Sequence, residues 1–257
     1  MTPPDVPALE RATLTTVPAP RTGFDGPFVV RAFAGGTGRA NAASSLDPSV
    51  DPELPARIAR IEARYVALGL PVRFRSTPLD PPGLVEHLAA RGYVPKDETA
   101  ILLAPIATIA APDPAAEARP APDADWMAVT ATAEHQSPKR RLEKEGSPPL
   151  LTVPGAWITL REDGAAAAVA SVVVAGAVAG YFDLAVRPEF RRRGLAARAV
   201  RAAAHWASSQ GASWLYCQVA ATNGASLALN AALGLRETYR YTYWVRPQDG
   251  VASLAFG

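Results

Sequence analysis

Arg191-Arg192-Arg193-Gly194-Leu195-Ala196 is the stretch that decides the fold. Before it runs Gly180-Tyr181-Phe182-Asp183-Leu184-Ala185-Val186, which reads as a strand. After it a helical pattern continues through Trp206. A turn of this kind leaves the first backbone N–H groups of a helix without partners, at the positive end of the helix dipole, and so attracts phosphate. Gly194 and the small Ala196 let an anion approach the backbone, and the arginines add positive charge. On these six residues alone, an exposed arginine-rich helix start is an equal reading. Two other phosphate-binding signatures are absent: no Gly-x-Gly-x-x-Gly follows a strand, and no Gly-x-x-x-x-Gly-Lys-(Ser/Thr) occurs.

The second part lies downstream. Asn223-Gly-Ala-Ser-Leu-Ala-Leu-Asn-Ala-Ala-Leu-Gly-Leu235 reads as a helix with an Asn cap that ends at Gly234. Strand-like residues 214–219 precede it and 239–245 follow it. In this order and spacing, residues 124–246 resemble the GNAT superfamily of acyl-CoA-dependent N-acyltransferases. The arginine turn resembles that family's pyrophosphate loop. The second segment resembles its Asn-x-x-Ala-x-x-Leu-Tyr-x-x-x-Gly-Phe helix. Two residues depart from the pattern: Asn230 stands where Tyr is usual, and Leu235 where Phe is usual.

The rest of the chain repeats that order. Residues 27–33 read as a strand. The turn Gly35-Gly36-Thr37-Gly38 lacks a helix after it, so a loop is the better reading. A helix is expected from Asp51 as cap and Pro52 as first residue, with Leu54, Ile58, Ile61, Tyr65 and Leu68 on one face. A strand (72–76), a helix (83–91) and a strand (99–106) follow. A gapless shift of 142 places Gly69 on Gly211, Ala89-Ala90 on Ala231-Ala232 and Gly92 on Gly234. This suggests an internal duplication. The same shift lays Ser49-Val50-Asp51-Pro52-Glu53-Leu54 on the arginine turn. That stretch has no glycine, two carboxylates, and a proline without an N–H, so it should not hold a phosphate.

The division expected is therefore a degenerate GNAT-like lobe (1–108), an Ala/Pro/Asp-rich linker (109–124) and an acetyltransferase domain (125–257). In the second half a strand is expected at 126–129 and a polar helical stretch at 133–146. Further strands follow at 156–161, 167–174 and 178–186, with a hairpin turn at Glu162-Asp163-Gly164. Next comes a helix (193–210) burying Leu195, Ala199, Ala202 and Trp206. The fold class is α/β of the α+β kind: a mixed, mostly antiparallel sheet flanked by helices in a tandem two-lobe arrangement.

Composition narrows the function. A hydrophobic share of 49% supports a packed core, and a net charge of +2 argues against a nucleic-acid partner. The basic patch Lys139-Arg140-Arg141 is followed by Glu143 and Glu145 and reads as a solvated helix face. The single cysteine, Cys217, lies in an apolar strand, which suits a buried thiol and a reducing cytoplasm. His87, His135 and His205 lack metal-ligand spacing, so no metal is expected. Residues 1–20 contain no apolar core of a signal peptide. The apolar run 165–179 is too short for a bilayer and is broken by Gly176, so no membrane partner is expected.

The resemblance implies acetyl-CoA as co-substrate and a primary amine of a small molecule or peptide as acceptor; it also admits a homodimer. It assigns the acyl-CoA site to Leu184, Ala185 and Val186 on the strand, Arg191, Arg192, Arg193, Gly194, Leu195 and Ala196 in the turn, and Asn223 and Asn230 on the later helix. A plain helix cap is an equal reading of Asn223. Catalytic groups are not identifiable. Strand alternation puts Gly180, Phe182, Leu184 and Val186 on one face, which carries no base, and Asp183 on the other, where a paired structural role is expected. Asn230 cannot donate a proton. Tyr216, Tyr239, Tyr241 and Tyr243 are possible donors, and Glu134 and His135 are candidate bases on the covering helix. A non-catalytic acyl-CoA-binding module is the competing reading.

Overall fold

The structure is a computed structural model that describes residues 2–134 and 136–247. It begins with helix α1 (Val6–Thr16) and strands β1 (Arg21–Asp25), β2 (Phe28–Ala32) and β3 (Ala43–Ser45). Then come α2 (Leu54–Ala67), β4 (Arg73–Ser76), α3 (Leu84–Ala90) and β5 (Val94–Pro105). Strand β6 (Ala116–Arg119), α4 (Ala124–Thr130) and α5 (Pro138–Gly146) follow. The last part is β7 (Gly155–Glu162), β8 (Ala165–Ala175), β9 (Val178–Val186), α6 (Leu195–Ser209), β10 (Trp214–Ala220), α7 (Gly224–Ala232) and β11 (Arg236–Val245).

The strands form one 11-stranded sheet in the order β1-β2-β3-β4-β11-β5-β10-β9-β8-β7-β6. Two neighbouring pairs are parallel, β3 with β4 and β9 with β10, and the others are antiparallel. The two halves exchange their last strands. β5, from the first half, lies between β10 and β11; β11, from the second, lies between β4 and β5. Their pairing has the symmetry of the repeat. In the 142-residue frame Val94 corresponds to Arg236 and Leu103 to Val245, and the ladder pairs Leu103 with Arg236 and Val94 with Val245. This is the register of two related strands crossing at a pseudo-dyad, and it gives the tandem two-lobe arrangement a shared centre.

Helix α6 packs its buried Leu195, Ala199 and Ala202 on one face of the second half's sheet. Helix α1 covers the other face near the dyad. Its Leu9 and Ala12 join Phe182, Tyr216, Tyr239, Tyr241 and Tyr243 in one cluster. Its Glu10 pairs with buried Arg75 and accepts from Tyr239 Oη, and Thr16 shares a 2.6 Å hydrogen bond with Tyr216. These bonds satisfy polar groups that burial would otherwise leave unpaired.

Several local expectations are corrected. Helix α1 lies in a stretch for which the sequence pattern predicts no element; Asp5 caps it by accepting from Ala8 N, with a proline in its first turn. Residues 124–130 form helix α4 rather than a strand, because Asp123 accepts from Trp126 N and starts a turn. Helix α2 begins at Leu54, with Pro55 in its first turn, and Asp51 and Pro52 lie in the approach. Its Leu68 is exposed at the cap. Within segment 109–124, β6 pairs with β7 at the sheet edge and Asp113 holds Arg198 at 2.8 Å.

Candidate active site

Strand β9 builds the site by parting from β10. It pairs with β10 at Val178, Ala179 and Gly180, and no pair follows. Beyond that point β10 pairs with β5 alone, out to Ala220. The two parallel strands splay, and the β10-facing edge of β9 is left without a ladder partner. Backbone groups on such an edge are open to an extended ligand.

On its other side β9 carries a bulge. The β8–β9 register runs from Ser171 opposite Phe182 to Val169 opposite Ala185, so Asp183 and Leu184 together oppose Ala170. Asp183 takes a left-handed φ of 54°. The bulge breaks the alternation expected from the sequence. Tyr181 and Leu184 both face the α6 side, three residues apart, while Phe182 packs on the α1 side. The carboxylate of Asp183 stands on a cavity wall, 3.3 Å from Lys144 Nζ and within reach of Ser171 Oγ at 3.4 Å.

A groove of about 690 Å³ opens along the free edge. At one end lies the arginine turn. Arg192 (φ 62°) and Gly194 (φ 75°) are both left-handed. Turns of this kind gather backbone N–H groups into an anion-binding concavity. No side chain caps α6, so its N-terminal donors stay available, and a Cβ on Gly194 would meet nothing within 4 Å. The groove wall includes Leu184, Ala185, Val186, Arg191, Arg192, Gly194, Leu195, Ala196 and Asn223. Asn223 also caps α7 by accepting from Ser226 N.

Two expected site residues stand off the wall. Arg193 packs its guanidinium over the ring of Phe190 at 5.3 Å. Asn230 is fully buried beneath the groove floor. Its Oδ1 accepts from Tyr181 Oη at 2.5 Å and from Cys217 Sγ at 3.3 Å, and its Nδ2 donates to Ser226 O at 2.8 Å. Tyr181 and Cys217 themselves line the groove. Burial pushes the Tyr181 phenol up, and pushes the Cys217 thiol up to about 12. Both therefore keep their protons at neutral pH. Alternation sets Tyr181 on the face opposite Phe182, and the packing turns that face toward the helix that carries Asn230, which no local sequence signal reveals.

The other tyrosines lie elsewhere. Tyr216 and Tyr239 are bound to α1, Tyr241 donates to Gln218 at 2.9 Å, and Tyr243 is buried. Glu134 lines the groove, and His135 lies outside the described residues.

A second cavity, of about 90 Å³, adjoins the groove at Phe182 and Asp183. Its walls include Phe33, Arg39, Arg140, Glu143, Lys144 and Trp157. Glu143 is not on a solvated face as expected but is buried. Its carboxylate accepts from the N–H groups of Ala34 (3.2 Å), Gly36 (2.8 Å) and Thr37 (2.6 Å) and from Asn41 Nδ2 (2.7 Å). The glycine-rich loop is thus a carboxylate cradle that docks α5 across the two halves.

A family model described as "Probable histone acetyltransferase Rv0428c C-terminal" matches residues 4–244. The chain belongs to this acetyltransferase family. It is 26% identical over 253 residues to "Uncharacterized N-acetyltransferase YobR" of Bacillus subtilis, covering 94% of this chain and 99% of that protein. A GCN5-related N-acetyltransferase from Kribbella flavida superposes with a TM-score of 0.73 at 18% identity, over 95% of this chain and 96% of that one. A tandem GNAT protein from the clavulanic acid biosynthesis pathway superposes with a TM-score of 0.60 at 17% identity, over 95% and 89%. The protein is a GNAT-type N-acetyltransferase with the tandem fold. Among the described residues no helix is long and apolar enough to cross a membrane.

Proposed function

We propose that the protein transfers an acetyl group from acetyl-CoA to a primary amine by direct attack. The observation that carries this is the continuity of the groove. The uncapped start of α6 lies at one end, the free edge of β9 runs along it, and Tyr181 and Asp183 stand where the edge begins. The N–H groups at Gly194, Leu195 and Ala196, with Arg191 and Arg192 beside them, hold the pyrophosphate. Arg193 adds to the field of the turn. The edge at Leu184, Ala185 and Val186 holds the pantetheine arm and offers N–H groups to the thioester carbonyl, and Asn223 faces the arm from α7.

Amide formation needs a neutral amine, a stabilised oxyanion and a proton for the departing sulfur. Asp183 takes the proton released as the amine attacks, with Lys144 and Ser171 holding its carboxylate in place. Tyr181 returns a proton to the thiolate and so replaces the tyrosine that Asn230 displaces. In the resting site Asn230 Oδ1 accepts that proton, and the hydroxyl turns from Asn230 to the sulfur as it gives the proton up.

Calorimetric titration with acetyl-CoA, followed by a free-thiol assay with a panel of amines, tests this reading. Binding together with amine-dependent thiol release is expected. Tight binding with no release on any amine leaves only an acyl-CoA-binding module, and absence of binding removes the proposal.

A further inference from the structure

The second cavity holds more positive charge than its own carboxylates use. Asp183 is paired with Lys144, and Glu143 is consumed by four N–H donors of the loop at 34–41. Arg39 and Arg140 remain. Neither guanidinium makes an ion pair or a side-chain hydrogen bond among the described residues, and both line the cavity and the adjoining groove. Arg39 lies 5.2 Å over the ring of Phe182, the residue next to Asp183. Arg140 sits in the first turn of α5, fixed by the Glu143 cradle one turn away. Burial, and then the charge of Arg39, hold Arg140 below the ordinary arginine range. The charges of Asp183 and Glu143 offset part of the repulsion between the two arginines, but three cations against two carboxylates leave the wall one positive charge in excess, which an anion between Arg39 and Arg140 neutralises.

We propose that the acceptor is a compact amine that itself carries an anionic group, a carboxylate or a phosphate, held by Arg39 and Arg140 while its amine meets Asp183. This rests on the reading of the groove as the acyl-CoA site. The cavity is small, about 90 Å³, which suits a compact acceptor. The walls at Phe33, Trp157 and Phe182 add apolar surface for a short side chain. Guanidinium forks suit both anions, since each takes two parallel hydrogen bonds. A lysine-rich peptide brings cations toward two arginines and is disfavoured.

The test compares matched amines at saturating acetyl-CoA: glycine with glycinamide, L-alanine with L-alaninamide, O-phosphoethanolamine, and a lysine-rich peptide. At least one anionic amine should exceed its neutral partner and the peptide by tenfold or more in kcat/KM, and the preferred anion separates carboxylate from phosphate. Arg140→Gln and Arg39→Gln should each raise KM for that amine ten- to hundredfold, the loss expected of a charged hydrogen bond, with a clearly smaller change in KM for acetyl-CoA, whose groove they border. A binding arm is independent of turnover. Calorimetry with N-acetylglycine, N-acetyl-L-alanine and O-phosphoethanolamine on the CoA-loaded protein should show binding that Arg140→Gln weakens tenfold. Preference for neutral or cationic amines, or equal loss of neutral and anionic substrates in the arginine variants, overturns the proposal. Loss of acetyl-CoA binding in the parent protein overturns the underlying reading, and the binding arm on the unloaded protein still decides whether the arginine pair takes an anion.

Discussion

The hydroxyl of Tyr181 donates to the side-chain oxygen of Asn230 across 2.5 Å, under the floor of the groove where β9 and β10 part. The family motif has its tyrosine at position 230. Here the phenol reaches the same region from the sheet, and the helix supplies a short acceptor. Tyr181→Phe deletes only the hydroxyl. Turnover should fall by about 10²-fold, the low end for general acid catalysis, with acetyl-CoA affinity within twofold. Single-turnover kinetics with calorimetry checks both. Turnover within threefold of the parent would return Tyr181 to a structural role.

Asn230 has no room around it. Asn230→Tyr places a ring against Tyr181 in a fully buried position and should lower the thermal midpoint by overpacking. Asn230→Ala leaves the buried Tyr181 hydroxyl without its acceptor and should cost about 1–3 kcal/mol of stability. Chemical denaturation of the two variants measures this. An unchanged midpoint in Asn230→Ala would mean that the 2.5 Å bond adds nothing.

Gly194 adopts φ 75° and faces open space. Asn tolerates left-handed backbone better than other side-chain-bearing residues, so Gly194→Asn should fold with a small stability loss. Its side chain then occupies the mouth of the phosphate turn. CoA affinity should fall at least tenfold by calorimetry, and retained affinity would move the pyrophosphate elsewhere.

The first half has filled its equivalent of that turn. Arg57 reaches Asp51 at 2.7 Å and Asp25 at 2.5 Å, and Arg60 and Arg64 also reach Asp25. Titration should find one CoA per chain. The Arg60 hydrogen bond, then that from Arg57, hold Asp25 at about 2 against the opposing effect of burial. A carboxylate lowered on folding contributes stability that is complete above its unfolded value near 4 and lost as pH falls through 2. The contribution is about 2 kcal/mol at neutral pH. Urea midpoints of the parent should drop between pH 5 and 2.5 more steeply than those of Asp25→Asn. Parallel curves would contradict the assignment.

The features legible in the sequence were local. Residues 191–196 and 223–235 carry their turns and caps in their own residue types, and the 142-residue shift points to a duplication, whereas the β5–β11 crossing is visible only in the strand pairing. The bulge at Asp183 was not legible, because alternation assumes an unbroken ladder and the extra residue is set by the pairing with β8. Residues 126–129 misled because Trp-Met-Ala-Val is as apolar as a strand, and the Asp123 cap decided otherwise. Glu143 looked like solvated charge because its partners lie over a hundred residues away.

That long-range contact sets the last prediction. Helix α5 carries Arg140 and Lys144 into the acceptor cavity, and Glu143 on the same helix is anchored by the loop at 34–41. A Cβ on Gly36 would lie 2.6 Å from a Glu143 carboxylate oxygen and 2.8 Å from Arg140 N, so Gly36→Ala must push the helix out. Glu143→Gln keeps the shape but removes the charge that four N–H donors share; hydrogen bonds to charged groups contribute about 1.5–3 kcal/mol. Both variants should lower the thermal midpoint. Both should also raise the acceptor KM at least fivefold while KM for acetyl-CoA stays within twofold, since the α6 turn is untouched. Steady-state kinetics in both substrates checks the split. Equal losses in the two KM values would show that α5 supports the whole fold rather than the acceptor side alone.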